Sequence, residues 1–183
     1  MRSKLETAAQ GWFTHPFLVP REFRAWLADQ GSLTYRLRQR CGTFSVRPVR
    51  AGFLRPNRDE SAILQLRADE LAYVREVVLN CDGRAVVFAH SVVAADSLRG
   101  PWAAVARLGT RPLGEALFSD PCVERGNLQC RRIDMRHALA RQAACAGIAM
   151  AGSLWARRSL FTLKERPLMV TEVFLPAVLA IGK

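Results

Sequence analysis

Long apolar runs are missing from this sequence. The longest one near its end, Val173 to Ile181, has nine residues and contains Pro176, whereas a membrane-spanning helix needs about 20. No apolar stretch of about 7–15 residues follows the charged residues at the start of the chain, as a secretory signal would require. We therefore expect a cytoplasmic protein without membrane insertion.

The five cysteines and three histidines show no metal-binding spacing. The cysteines, at positions 41, 81, 122, 130 and 145, are odd in number and form no Cys-x-x-Cys pair, so we interpret them as reduced thiols that fill the core. His15, His90 and His137 form no His-x-x-x-His or His-Glu-x-x-His motif. This scatter is typical of surface or hydrogen-bonded histidines, and we predict no metal site.

Acidic residues are few: 16 stand against 27 basic ones, which gives a formal net charge of +11 at pH 7. Nucleic acid would bind at the arginine-rich segments Arg36 to Arg40, Arg131-Arg132 and Arg157-Arg158, but these are short and dispersed. No helix-turn-helix, RNP or zinc-finger motif accompanies them, so we predict no nucleic-acid partner. Because a positive field also attracts small anions, the charge fits a carboxylate-bearing metabolite equally well.

The strand pattern predicts a hairpin. Tyr73 to Cys81 and Arg84 to Val93 are strand-forming runs joined by Asp82-Gly83, which suits a tight turn. Four more runs read as strands, the first with a shift near Pro48 that suggests an edge or a bulge, and the last two separated by a turn over 164–167. They are Thr43 to Leu54, Val123 to Met135, Leu154 to Leu163 and Leu168 to Leu175.

Helical spacing predicts short helices between these strands. One begins after Pro20 and stops at Gly31, and a second covers Leu33 to Arg40 with Ser32 as its N-cap. Two more cover 101–108 and 113–118, while 136–152 has no clear pattern. Half of the residues are hydrophobic, which is enough for one domain over residues 1–183. We predict an α+β fold built on a single antiparallel sheet.

Arg75 and Glu172 lie on apolar faces of predicted strands, because side chains alternate across a strand. The apolar neighbours are Tyr73, Val77 and Leu79 for Arg75, and Leu168, Val170 and Phe174 for Glu172. A buried charge is costly without a partner, so the two residues could form a structural ion pair, or one strand could be a wet edge. Alternatively, they line a closed pocket for a ligand with a carboxylate at one end and a hydroxyl at the other.

Five segments occur together in a characteristic order. They are Gly31-Ser32-Leu33-Thr34, Tyr73-Val74-Arg75-Glu76-Val77 before Asp82-Gly83, Leu108 to Gly114, Leu154 to Ser159, and Pro167 to Pro176. In that order and spacing they resemble chorismate lyase, or chorismate–pyruvate lyase, of bacterial ubiquinone synthesis. The resemblance covers about Pro20 to Ala177, which makes residues 1–19 an N-terminal extension. It implies a single antiparallel sheet whose helical flaps enclose an internal ligand pocket.

The resemblance also implies an activity, in which chorismate loses its enolpyruvyl group as pyruvate and becomes 4-hydroxybenzoate without a metal or organic cofactor. Arg75 then takes the position of the family's carboxylate-binding arginine, and Glu172 that of the glutamate at the 4-hydroxyl end. Leu33 and Leu113 fall where the family offers main-chain NH groups to the ring carboxylate. We interpret Arg75 and Glu172 as the catalytic residues and hypothesise that Glu172 is the general base at C4.

The main alternative is a non-catalytic effector-binding domain, because the chorismate lyase fold resembles ligand-sensing domains of some bacterial transcription regulators. Such domains normally follow a DNA-binding segment, for which the roughly 20 residues before the first helix are too few. The region from Cys130 to Gly152 is longer than in some relatives, so the segment that acts as a flap stays open. We expect the chain to act as a monomer.

Overall fold

A computed structural model describes residues 11–14, 19–67, 69–150 and 152–182. Within them, seven strands form one antiparallel sheet in the order β1-β2-β3-β7-β6-β4, and β5 also pairs with β6. The strands are β1 (Phe44–Leu54), β2 (Ala72–Cys81), β3 (Arg84–Ala94), β4 (Glu124–Arg125), β5 (Gln129–Ile133), β6 (Leu154–Leu163) and β7 (Arg166–Phe174). The predicted α+β fold with one antiparallel sheet is confirmed.

Two tight turns set the register of the central strands. Asp82 and Gly83 have φ angles of 50° and 76°, as the predicted β2–β3 turn requires. Lys164 and Glu165 have φ angles of 49° and 62°, so the β6–β7 turn spans two residues instead of the predicted four, and β7 begins at Arg166. The edge position of β1 and its register shift after Pro48 are also as predicted.

Five short α-helices lie in the described chain, two before β1 and three between later strands. They are α1 (Arg21–Leu27), α2 (Leu33–Arg38), α3 (Arg58–Ile63), α4 (Leu113–Ser119) and α5 (Ala138–Cys145). The segment around Val105, predicted to be helical, forms a 3₁₀ helix over Ala103–Arg107, a form common in short connectors. Val123 to Met135 is divided between β4 and β5. None of the helices in the described residues is long and apolar enough to cross a lipid bilayer.

Helices cover both faces of the sheet. On one face α1, α2 and α4 contribute Trp26, Leu37 and Leu117 to cores that include the inward side chains of β2, β6 and β7. On the other face α5 packs Leu139 against the sheet, and Leu64 at the end of α3 does the same. The central strands β2 and β3 are therefore buried on both sides, which explains their almost uninterrupted apolar sequences.

The prediction of five reduced core thiols is wrong for four of the cysteines. Cys41, which follows α2, and Cys81, at the end of β2, form a disulfide with their Cα atoms 5.3 Å apart. Cys122 and Cys145 are exposed, so only Cys130 is a buried free thiol. The fold joins Cys41 to a residue 40 positions away, and no spacing rule could indicate that pairing. His15 and most of the predicted N-terminal extension lie outside the described residues.

Candidate active site

A cavity lies between the sheet and its helical cover. Strands β2, β3, β6 and β7 form its floor, and the starts of α2 and α4 form its cover. All four predicted site residues, Arg75, Glu172, Leu33 and Leu113, line this one cavity. The space between its atoms is about 580 Å³, a figure that includes solvent at the opening.

The strand register arranges the floor in two rows. In the strand register, Arg75 lies opposite Ser91, Ser91 opposite Val170, and Val170 opposite Ser159. These four residues make one row across four strands. In the next row, Glu172 lies between Ala89 and Arg157. Strands are about 4.8 Å apart, so the backbones at the two ends of a row are about 14 Å apart. The floor is long enough for an aromatic acid lying across it.

Arg75 is held by main-chain oxygens and not by an acid. The guanidinium donates two hydrogen bonds from Nη2, each 2.9 Å long, to the carbonyls of Gly109 and Arg111. Burial lowers the pKa of Arg75, although the guanidinium stays charged near neutral pH. Within the described residues, its Nε and Nη1 donate to no protein acceptor, and the side chain lines the cavity with an exposed fraction of 4% for the residue. These donors can receive a carboxylate.

Glu172 is paired, but not with Arg75. Its Oε2 accepts a hydrogen bond from Nε of Arg157, the residue opposite on β6. Nη1 of Arg157 donates to the carbonyls of Trp26 and Asp29, each at 2.8 Å. The structural ion pair between Arg75 and Glu172, one of the alternatives that the sequence left open, is therefore wrong. The ion pair with Arg157 fixes the direction of the Glu172 carboxylate.

A third arginine, Arg125 of β4, closes one end of the cavity. Its Nε donates to Oγ of Ser159 at 3.0 Å, and its Nη1 donates to the carbonyls of Gln30 and Gly31. The guanidinium also lies near the rings of Phe118 and Phe161. Burial, together with the charge of Arg157, lowers the pKa of Arg125. Sequence reasoning missed this residue because its strand has only two residues and shows no alternation.

Leu33 and Leu113 are the first residues of α2 and α4. NH groups in the first turn of a helix have no acceptor within that helix. Ser32 caps α2 by accepting a hydrogen bond from the NH of Tyr35. The two helix starts pack closely, since a Cβ on Gly114 would lie 2.9 Å from Oγ1 of Thr34. The contact places the two leucine positions on the same side of the cavity.

A second group of charges is buried on the opposite face of the sheet. His90 lies between two carboxylates, with Nδ1 3.1 Å from Glu76 and Nε2 3.1 Å from Glu60. Burial alone lowers the pKa of His90, but the two carboxylates outweigh burial and raise it to about 9. Arg158 pairs with Asp59 on the same face. Arg157 and Arg158 are both buried, so this doublet is not part of an exposed basic surface.

The family model for chorismate lyase matches residues 14–180. The chain belongs to the chorismate lyase family. A probable chorismate pyruvate-lyase of Thiobacillus denitrificans is 53% identical over 169 residues, which cover 92% of this chain and 90% of that protein. Another, from an Azoarcus species, is 49% identical over 181 residues and 95% of each chain. The family predicted from the five segments is confirmed.

Solved structures with this fold include domains of transcription regulators. The effector domain of PhnF from Mycobacterium smegmatis has a TM-score of 0.53 at 14% identity and covers 81% of this chain and 90% of that one. The C-terminal domain of the histidine utilization repressor from Pseudomonas syringae has a TM-score of 0.53 at 13% identity, covering 74% and 93%. At such low identity the likeness concerns the fold alone. It confirms that chorismate lyase and these regulator domains share an architecture.

Proposed function

We propose that this protein is a chorismate lyase that releases pyruvate from chorismate and leaves 4-hydroxybenzoate. The proposal rests chiefly on the cavity in which a carboxylate-binding arginine, Arg75, and a fixed carboxylate, Glu172, line the same floor. A ring with a carboxylate at one end and a hydroxyl at the other matches this arrangement. Membership of the chorismate lyase family supports the same reaction.

The protein has little covalent chemistry to perform in this reaction. The C4–H and C3–O bonds of chorismate break, the ring becomes aromatic, and the departing enolpyruvate gains a proton to become pyruvate. Aromatisation supplies the driving force. The protein must hold the dianion in a reactive conformer and limit access of water, which is a matter of positioning.

The contacts of each residue suggest its role. The guanidinium of Arg75 binds the ring carboxylate, together with the main-chain NH groups of Leu33 and Leu113. Glu172 accepts a hydrogen bond from the 4-hydroxyl group, and the ion pair with Arg157 keeps its carboxylate oriented. That Glu172 also serves as the general base at C4 is a hypothesis that its place in the cavity supports.

Two variants test these roles in an absorbance assay for 4-hydroxybenzoate. Arg75→Met should weaken binding of 4-hydroxybenzoate about 10- to 100-fold, because charge-assisted hydrogen bonds to arginine are lost. Glu172→Gln keeps the shape but cannot accept the C4 proton, so turnover near that of the wild type would exclude the base role. A folded wild-type protein that binds 4-hydroxybenzoate but does not turn over chorismate would support the effector-binding alternative instead.

We also propose that the product enters ubiquinone synthesis, as the resemblance implies, and that the protein acts as a cytoplasmic monomer. A strain without this gene should lose ubiquinone and regain it when 4-hydroxybenzoate is supplied. Recovery failing with 4-hydroxybenzoate present would contradict the pathway assignment. Size-exclusion chromatography with light scattering tests the monomer, which should give a mass near 20.4 kDa.

A further inference from the structure

The charges that line the cavity exceed what the product needs. Three arginines and one glutamate contribute a net of two positive charges. 4-Hydroxybenzoate carries a single carboxylate, whereas chorismate carries two, one on the ring and one on the enolpyruvyl group. The cavity is therefore matched in charge to the substrate, and this step rests on the proposed function.

Only two of the three arginines are available to a ligand. Arg157 is neutralised by Glu172, and its Nη1 is taken by main-chain carbonyls. Arg75 and Arg125 make no hydrogen bond to a carboxylate within the described residues, because all of their protein acceptors there are carbonyl or hydroxyl oxygens. Glu172 and Asp29 act on Arg125 only through space. Two guanidinium groups thus have no directly bonded carboxylate, and the substrate has two carboxylates.

The orientation of the Arg125 guanidinium is fixed before any ligand binds. Nε and Nη1 are tied to Ser159 and to the carbonyls before α2, and the group lies within 5.5 Å of the ring centres of Phe118 and Phe161. Nη2 donates to no acceptor within the described residues. A guanidinium held in this way can bind a carboxylate through Nη2 with little loss of side-chain freedom.

The polarity of the residues on the cavity floor determines the side on which the enolpyruvyl group lies. With the ring carboxylate at Arg75 and the 4-hydroxyl at Glu172, a substituent on C3 can point toward Ser159 or toward the opposite part of the floor. That opposite part is apolar and consists of Val77, Leu79 and Ala89. A carboxylate placed there would lose its hydration without a hydrogen-bond donor in return. The other direction leads to Arg125, which is hydrogen-bonded to Ser159.

We propose that Arg125 binds the carboxylate of the enolpyruvyl group. Arg75 and Arg125 then hold the two ends of the dianion and set the conformer in which the C3–O bond breaks. Once that bond is broken, Arg125 retains pyruvate but makes no charged contact with 4-hydroxybenzoate. Arg125 is thus a substrate-binding residue that distinguishes chorismate from the aromatic product.

The test compares a dianion with a monoanion in the same variants. Arg125→Met should lower kcat/KM for chorismate about 10- to 100-fold, whereas the Kd for 4-hydroxybenzoate, measured by calorimetry, should change less than about twofold. Arg75→Met should weaken both ligands. Arg166→Met removes one exposed positive charge that does not line the cavity and should change neither, which controls for the overall field. Arg125→Lys keeps the charge without the guanidinium and should give an intermediate kcat/KM.

Equal losses for chorismate and 4-hydroxybenzoate in Arg125→Met would overturn the assignment, because Arg125 would then only support the cover. An unchanged kcat/KM would overturn it as well. If Arg125→Met does not fold, Arg125→Lys provides the same comparison of the two ligands. A wild-type protein without turnover would instead contradict the proposed function, so the two failures can be distinguished.

Discussion

Arg157 of β6 and Glu172 of β7 lie directly opposite each other and form an ion pair inside the cavity. The side chain of Arg157 is 1% exposed and that of Glu172 is 15% exposed. Removal of one member of such a pair leaves the other charge with little solvation, which costs more than the pair itself contributes. The pair therefore links the stability of the sheet to the position of the candidate catalytic carboxylate.

Arg157→Met should lower the free energy of unfolding by about 3 kcal/mol, because Glu172 loses its counter-ion. Denaturant unfolding monitored by circular dichroism measures this change. The double variant Arg157→Met/Glu172→Gln should be more stable than Arg157→Met alone, since no unpaired carboxylate is left. A double variant that is less stable than Arg157→Met would contradict this explanation.

The stability of the protein should fall on the alkaline side of neutrality. The pKa of His90 is raised from its ordinary value of 6.5 to about 9, so its contribution is complete below about pH 6.5 and is lost as the pH rises through about 9. The loss is roughly 3 kcal/mol, because each pKa unit corresponds to about 1.4 kcal/mol. Urea unfolding at pH 6 and at pH 9.5 measures it.

Acidification acts on Glu60 and Glu76, the two carboxylates beside His90. Burial alone raises the pKa of Glu60 and of Glu76, but His90 and their other hydrogen-bond partners outweigh it and lower both values. Their contribution is therefore present above about pH 4.5 and is lost as the pH falls further. His90→Gln should be less stable at pH 6 and should show a much smaller decrease between pH 6 and pH 9.5. An unchanged alkaline decrease in this variant would assign the effect to another group.

Gly114→Ala should disturb the cavity through its cover. The added methyl group would lie 2.9 Å from Oγ1 of Thr34, a buried and β-branched side chain that cannot easily turn away. We expect a loss of stability of about 1–3 kcal/mol and weaker binding of 4-hydroxybenzoate, because the displaced turn carries Leu33. Thermal unfolding and calorimetry measure the two effects. Thr34→Ala in the same chain should restore part of both, and no recovery would indicate another cause.

Thiol counting should separate the five cysteines into three groups. Cys122 and Cys145 are exposed and should react rapidly with an aromatic disulfide reagent at pH 8. Cys130 should react only after unfolding, because burial raises the pKa of its thiol to about 11 although Arg157 opposes the shift. Unfolded, unreduced protein should then show three thiols, and reduced protein five. Five thiols without reduction would contradict the bond between Cys41 and Cys81.

The inward direction of Arg75 and Glu172 could be predicted from sequence, because alternation along a strand is a local property. The partner of Glu172 could not be predicted, because it depends on the length of the turn between β6 and β7. A four-residue turn over 164–167 would pair Leu163 with Leu168 and place Ser159 opposite Glu172. The observed two-residue turn pairs Leu163 with Arg166 and brings Arg157 there instead.

The buried charges of His90, Glu60 and Glu76 on the other face of the sheet were not predicted, for a related reason. Adjacent residues on a strand point to opposite faces of the sheet. Arg75 therefore points into the cavity, and Glu76 points to His90 on the other face. The sequence contains both charges, but their partners come from elsewhere in the fold. Glu60 lies on α3, which the sequence analysis did not predict although Asn57 and Glu60 have the spacing of a capping box.

The contacts of Arg157 reach further than the ion pair. The same guanidinium holds the carbonyls of Trp26 and Asp29, at the end of α1 and just beyond it. If the helical cover separated from the sheet at this point, Glu172 would lose the partner that orients it. An open cavity would then admit substrate without converting it, and only the closed cavity would be active.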